Sequence, residues 1–267
     1  MRVYQFRHAR SARRNHRPAE LAIKFRQDSP PHRESATTNE RSERRRLVLP
    51  PFSLKICPSM KVLITAGPTR EPIDPVRYLT NRSSGKMGYA LAEAAQKQGH
   101  SVLLISGPTS LDIPEGVDFI PIESAEDLYQ AVESQIGRMD IAIFAAAVAD
   151  YTPVTVANQK IKKSGDELTL TLKKTKDVLG SAREVMGFKG TLVGFAAETE
   201  NVEENARGKC TRKGCDLIIA NDVSRKDIGF DSSENEVTLI YKNRSEALPQ
   251  NSKEHLACHL VEVIEQL

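Results

Sequence analysis

The chain has 267 residues, a formal net charge of +3, four cysteines and no tryptophan. No apolar run approaches the ~18 residues that a membrane-spanning helix needs, and the N-terminus lacks the apolar stretch of a secretory signal. Of Cys57, Cys210, Cys215 and Cys258 none forms a C-x-x-C pair, which argues against a zinc ribbon or a thioredoxin-like motif; Cys210 and Cys215, five apart, read as free thiols of a reducing, cytoplasmic compartment, with a disulfide as the minor alternative.

The charge is unevenly spread. Residues 1–59 carry 12 Arg and 2 Lys against 5 acidic residues, whereas the remainder carries 24 basic and 30 acidic residues. The tail is rich in Arg, contains Pro and has no apolar period, so disorder is expected over 1–59. Three readings of it stand. It is a translated upstream region with Met60 as the natural start, a nucleic-acid-binding arm built on Arg44-Arg45-Arg46, or an organelle transit peptide, against which its five acidic residues argue. Residues 60–267 are enough for one α/β domain with an aliphatic core.

From residue 60 the apolar pattern alternates between strand and helix. A strand at 61–66 leads through a long loop to a helix at 84–98, which ends at Gly99. Strands at 101–105 and 117–121 follow, then a helix at 124–135 with Ser124 as N-cap and Asp127 three residues on. The strand at 140–145 is apolar on both faces, as a central parallel strand should be. Residues 167–173, ELTLTLK, alternate with period two, which predicts a half-exposed strand outside the parallel sheet. A helix at 177–186, a strand at 191–196, a helix at 201–213, strands at 216–220 and 236–241, and a helix at 252–266 complete the chain. The expected fold is a three-layer, Rossmann-like α/β structure with a mostly parallel sheet and a small β extension.

The segment around which this order is arranged is 61–90, KVLITAGPTREPIDPVRYLTNRSSGKMGYA. Strand, Gly-containing loop and helix form the front of a Rossmann-like unit, in which a helix N-terminus faces a phosphate. G-x-G-x-x-G is absent: Gly67 stands alone after the strand, and Ser83-Ser84-Gly85-Lys86-Met87-Gly88 comes later. The long insertion points to a ligand-shaped loop; packing glycines alone are the competing reading.

TAGPTREPIDPVRYLTN-x-SSGKMG resembles the phosphopantothenoylcysteine synthetases, the ligases of coenzyme A biosynthesis. The likeness continues through AAAVADY at 145–151, KIKK at 160–163, GFAAET at 194–199 and ANDV at 220–223, in the family's order. The resemblance implies a ligase that joins 4′-phosphopantothenate to L-cysteine through an acyl-nucleotidylate. It implies CTP as co-substrate with ATP as runner-up, Mg²⁺ with the triphosphate, and a homodimer in contact near 167–173. Bacterial relatives often carry a flavin-dependent decarboxylase ahead of this domain; 1–59 is too short for one, so a separate decarboxylase is expected.

Site residues follow from the same likeness. Asn81 would secure the activated acyl intermediate for amine attack, and Lys160 would act in the activation step. Nucleotide contacts fall to Gly67, Ser84, Gly85, Ala145, Ala146, Asp150, Lys160, Asp177, Val178, Phe195, Lys209 and Lys213, and substrate contacts to Asn81, Ala146 and Ala147. Thr175-Lys176-Asp177 departs from the family's usual Asn-Pro-Asp. By position alone, a loop-fixing role is the lesser reading of Asp150, whereas Phe195 reads first as a core residue and Lys160, Lys162 and Lys163 as a solvated run. His255 and His259 have metal-ligand spacing but no accompanying carboxylate motif, so they read as a solvated helix face.

Two other classes remain. A nicotinamide-dependent reductase on the same fold lacks both G-x-G-x-x-G and a Tyr-x-x-x-Lys pair. The Arg-rich tail leaves a nucleic-acid-binding protein open. No G-x-S-x-G elbow or nucleophile–base pair is present, which fits phosphoryl-group chemistry resting on positioning and charge.

Overall fold

A computed structural model of the chain describes residues 59–163, 165–222 and 234–267. The basic tail, up to Pro58, lies outside the described residues, as does Val223 of the ANDV motif.

Among the described residues the main sheet has eight strands. Six are parallel: β1 (Lys61–Ala66), β4 (Ser101–Ser106), β5 (Asp118–Pro121), β6 (Ile141–Phe144), β9 (Thr191–Glu198) and β10 (Leu217–Asp222). Two more, β11 (Glu234–Ile240) and β12 (Ser245–Ser252), add antiparallel strands beyond β10. The spatial order β12-β11-β10-β9-β6-β1-β4-β5 gives the six parallel strands the Rossmann order 3-2-1-4-5-6. The order reverses between β1 and β6, so the loops leaving those two strands diverge and open a crevice.

The helices cover both faces. α1 (Lys86–Lys97) and α5 (Lys253–Ile264) share one face, and α2 (Ala125–Gln135), α3 (Val178–Glu184) and α4 (Val202–Lys213) the other. Alternation along the strands makes this possible. Val62, Ile64 and Ala66 of β1 join the α1/α5 core, while Leu63 joins the α2–α4 core. β6 is fully buried, as expected for a strand with neighbours on both sides and helices on both faces. The sequence order also puts the helix caps where expected. Ser124 Oγ accepts from Asp127 N at 3.2 Å and Asp127 returns a bond to Ser124 N at 2.9 Å, closing a capping box on α2. Burial holds the Cys210 and Cys215 thiols above their ordinary values, Cys215 at about 12, so both are protonated and inert.

Four short strands pair outside the main sheet, β2 (Arg70–Pro72) with β3 (Tyr78–Thr80) and β7 (Tyr151–Pro153) with β8 (Leu172–Lys174), and of these β2, β3 and β7 were not legible in the sequence. The strand expected at 167–173 is corrected by β8. Only Leu172–Lys174 pairs, and the preceding residues run as exposed chain because they have no neighbouring strand. β12 was also missed; it is the sheet's edge strand, where Pro249 is tolerated. None of the described helices is long and apolar enough to cross a membrane.

Candidate active site

The loop 145–150 is stitched to the loop after β1 by two threonines of the TAGPTR segment. Thr65 Oγ1 accepts from Ala146 N at 3.2 Å, and Thr69 Oγ1 accepts from Ala149 N at 3.0 Å. Ala147 N donates to Gly67 O at 2.9 Å, and Pro68 and Ala147 form a parallel bridge beyond the end of the sheet. Asn81 completes the junction: its Nδ2 donates to Val148 O at 2.9 Å and to Ala147 O at 3.3 Å. Thr175 holds the far end, donating from Oγ1 to Ala149 O at 2.7 Å and from N to Asp150 O at 3.0 Å. Backbone bonds made to short hydroxyls leave this alanine loop narrow, so a ligand can approach its main chain.

Two glycines set how closely α1 approaches. Gly85 has φ of +78° at the N-cap, a left-handed turn that delivers the chain into the helix. Gly88 lies on β1: a Cβ there would sit 2.5 Å from Ala66 Cβ and 3.2 Å from Thr65 O. The α1 N-terminus is thereby pressed against the end of β1, beside the switch point.

A cleft of about 860 Å³ opens at this edge. Of the residues singled out from the sequence, Asn81, Ser84, Gly85, Ala145, Ala146, Ala147, Asp150, Asp177, Val178, Phe195, Lys209 and Lys213 line it together. Gly67 does not. It lies beneath, where an added Cβ would meet Gly107 O at 2.9 Å, and it supports Gly85 from below. Lys160 also lies outside the lining, exposed on the 154–163 segment. Its neighbour Ile161 is pinned to the turn between β2 and β3: Ile161 N donates to Asp74 Oδ2 at 3.1 Å, and Arg77 Nη2 donates to Ile161 O at 2.7 Å. Burial alone would raise the Asp74 carboxyl, but bonds from Val76, Arg77 and Ile161 outweigh it and hold the group well below the usual carboxylate range.

The charge of the lining is opposite to that of the domain. Arg82, Lys86, Lys174, Lys176, Lys209, Lys213 and Lys253 line the cleft against two carboxylates, Asp150 and Asp177. Cations gathered in a concave, low-dielectric site focus the field on an anionic ligand. Several are already oriented. Lys209 Nζ donates to Phe195 O at 2.7 Å, and burial lowers its pKa, with Glu198 and Asp150 opposing. Lys213 is paired with Asp177, whose Oδ1 also caps α3 through Gly180 N at 2.9 Å. Lys176 pairs with Glu126 at 2.7 Å and lies over the Tyr129 ring, so the departure at 175–177 fixes this lysine outward on α2.

Asn221, Asn235 and Lys253 line the far end and were not singled out from the sequence. Asn221 had a signal, a polar residue ending an apolar strand. Lys253 had none, since a lysine after an N-cap serine reads as solvated. His255 and His259 are exposed on α5, as expected. Among the described residues no group of three His, Cys, Asp or Glu side chains is placed to hold a metal.

Sheet order, switch-point crevice and cationic lining together define a Rossmann-like protein with an anion-accepting cleft. The family model described as the DNA/pantothenate metabolism flavoprotein C-terminal domain matches residues 58–267, and the chain belongs to that family. It is 49% identical over 218 residues to the coenzyme A biosynthesis bifunctional protein CoaBC of Vibrio vulnificus (strain YJ016), covering 81% of this chain and 54% of that protein. With the CoaBC protein of Bacillus subtilis (strain 168) the identity is 50% over 208 residues, covering 77% and 51%. The chain thus spans about half the length of the curated relatives it matches. Its structure superposes on the crystal structure of the C-terminal domain of a CoaBC protein with a TM-score of 0.66 at 42% identity, covering 78% of this chain and 94% of that one.

Proposed function

We propose that the chain is a ligase that joins 4′-phosphopantothenate to L-cysteine in the cytoplasm, using CTP. The observation that carries this reading is the Asn81 amide, bonded to Ala147 O and Val148 O at the junction of the two switch-point loops, in a cleft lined by cations. The relatives' names place them in coenzyme A biosynthesis.

In the first step a carboxylate oxygen of 4′-phosphopantothenate attacks the α-phosphorus. The bond to the β-phosphate oxygen breaks, and pyrophosphate leaves. In the second, the cysteine amine attacks the acyl carbon, the acyl–oxygen bond breaks, CMP leaves, and the amine gives up its proton to solvent. Neither step needs a protein nucleophile; both need charge neutralisation and alignment. The α1 N-terminus with Ser84 and Gly85 faces the phosphates. The alanine loop, Asp150, Val178, Phe195, Lys209 and Lys213 hold the nucleoside end. Asn81 secures the acyl-nucleotidylate by turning one Nδ2 hydrogen to it from the longer bond to Ala147 O, with Ala146 and Ala147 beside the acyl group. Lys160 reaches the triphosphate when the 154–163 segment folds toward the cleft from its Ile161 anchor.

Mg²⁺ is bound reluctantly by protein cages and prefers phosphates, water and one or two carboxylates. The lining fits that pattern, since its two carboxylates are otherwise engaged, Asp177 with Lys213 and Asp150 at the nucleoside end, and the ion would be held by the triphosphate and water. The ion would neutralise triphosphate charge.

The exposed apolar side chains Tyr151, Val154, Val156, Leu168 and Leu172 gather on the 151–174 extension, and we infer that this surface pairs two copies of the chain. Light scattering should give twice the chain mass; a single-chain mass at assay concentration contradicts the pairing. The function is tested by pyrophosphate release from the full chain with 4′-phosphopantothenate, cysteine and Mg²⁺, with CTP and ATP in separate runs. Release that requires 4′-phosphopantothenate supports the ligase and selects the nucleotide. A folded protein that releases none with either contradicts it.

A further inference from the structure

The cleft lining holds more cations than its own contacts use. Lys209 is bonded to Phe195 O, Lys213 to Asp177 and Lys176 to Glu126, and Lys86 and Lys253 also have partners. Two lining cations make no hydrogen bond or ion pair among the described residues, Arg82 and Lys174. They stand at different places. Lys174 ends β8 opposite Tyr151, and the next residue, Thr175, is bonded to Asp150 O, so Lys174 belongs to the nucleoside end. Arg82 follows Asn81 directly. Its backbone is held on both sides, by the Asn81 bonds to Ala147 O and Val148 O and by the turn in which Ser83 Oγ accepts from Gly85 N at 3.4 Å. The residue is exposed, so a fixed root carries an uncommitted guanidinium next to Asn81.

In the proposed reaction the acyl group is held at Asn81 when the second substrate arrives. That substrate is an amino acid, and its carboxylate sits on the carbon that bears the attacking amine. Wherever the amine meets the acyl carbon, a carboxylate therefore enters the cleft at the Asn81 end. A carboxylate taken out of water without a partner is costly, and the two acidic groups of the lining, Asp150 and Asp177, would repel it. A guanidinium meets a carboxylate through two parallel N–H donors and stays charged at any working pH. Neutralising the carboxylate also withdraws the negative charge that favours the substrate's ammonium form, so more of the amine is free to attack.

We propose that Arg82 binds the α-carboxylate of the incoming amino acid and so selects an α-amino acid over a simple amine. The inference rests on the ligase reading, which supplies the amine substrate.

The test measures kcat/KM for amide formation with L-cysteine and with cysteamine, which has the same amine and thiol but no carboxylate, in the full chain and in its Arg82→Ala and Arg82→Lys variants. The 4′-phosphopantothenate, nucleotide and Mg²⁺ are held constant, products are read by mass, and thermal melting checks folding. The unaltered chain should prefer cysteine. Arg82→Ala should cut that preference roughly tenfold or more, through KM for cysteine, and Arg82→Lys should recover part of it. A folded Arg82→Ala protein that keeps the full preference, or that loses cysteine and cysteamine alike, overturns the carboxylate contact and leaves the ligase reading standing. No amide from the unaltered chain with cysteine sinks the ligase reading and the contact with it.

Discussion

Replacing Gly88 by Ala sets two opposed effects against each other. Alanine favours a helix by about 1 kcal/mol over glycine, so an unhindered site would be stabilised. At Gly88 the new Cβ would lie 2.5 Å from Ala66 Cβ and 3.1 Å from Ala66 Cα. Carbon atoms prefer separations of about 3.5–4.0 Å, so α1 must retreat from β1 by roughly 1 Å at this point. β1 is hydrogen-bonded to β4 and β6 along its length and cannot yield. Overpacking of this kind costs about 1–3 kcal/mol. With the upper part of that range set against the helix gain, a net loss of about 2 kcal/mol remains, or a fall in Tm of about 4–8 °C for a domain of this size. In the proposed reaction the same retreat would displace Ser84 and Gly85 from the phosphates, and a misplacement of about 1 Å can cost roughly a hundredfold in rate. The control is Gly208→Ala on α4, where the new Cβ would meet only the movable end of Arg212, at 2.8 Å. Thermal melts and pyrophosphate-release rates read both variants. Gly208→Ala should hold or raise Tm. A Gly88→Ala protein as stable and as active as the unaltered chain would refute the close-approach argument.

Asp74→Ala should loosen the 154–163 segment and lower the urea midpoint, because Asp74 accepts from Val76 N, Arg77 N, the Arg77 guanidinium and Ile161 N. The Asp74 carboxyl titrates lower in the folded chain than in the unfolded one, so its contribution is complete above the unfolded value of about 3.9 and fades as pH falls toward the folded value. The difference in midpoint between the two proteins should be constant from about pH 7 to 5 and shrink in stronger acid. A difference that instead grew on acidification would show that Asp74 is not the acceptor described.

The strands of the parallel sheet were legible because continuous aliphatic runs such as Val62-Leu63-Ile64 and Ile141–Phe144 have no other comfortable fate than a two-sided burial. The start of α2 was legible because a cap residue announced it, Ser124, whereas the cap of α3, Asp177, was read as a nucleotide contact. Strands of three residues, such as Arg70–Pro72, are too short to show a period, and β12 carries Pro249 because an edge strand has one unpaired side. The alternation at 167–173 overstated its strand since period two marks what a segment can pair with, not whether a neighbour is present. In the site, short-range motifs carried most of the lining. Asn81 and the alanine loop meet across the switch point although 66 residues separate Asn81 from Ala147. The Lys253 corner escaped because it depends on β11 and β12 folding back beside β10, which no local pattern encodes.

In the proposed reaction Asn81 acts after the nucleotide has been spent. The most direct test of this order is a comparison of pyrophosphate release with amide formation, the latter by mass detection of 4′-phosphopantothenoylcysteine, in Asn81→Ala and Lys160→Ala variants of the full chain. Asn81→Ala should still release pyrophosphate and accumulate the acyl-nucleotidylate while amide formation fails, whereas Lys160→Ala should lose both. Amide formation at the normal rate by the Asn81→Ala protein would contradict it.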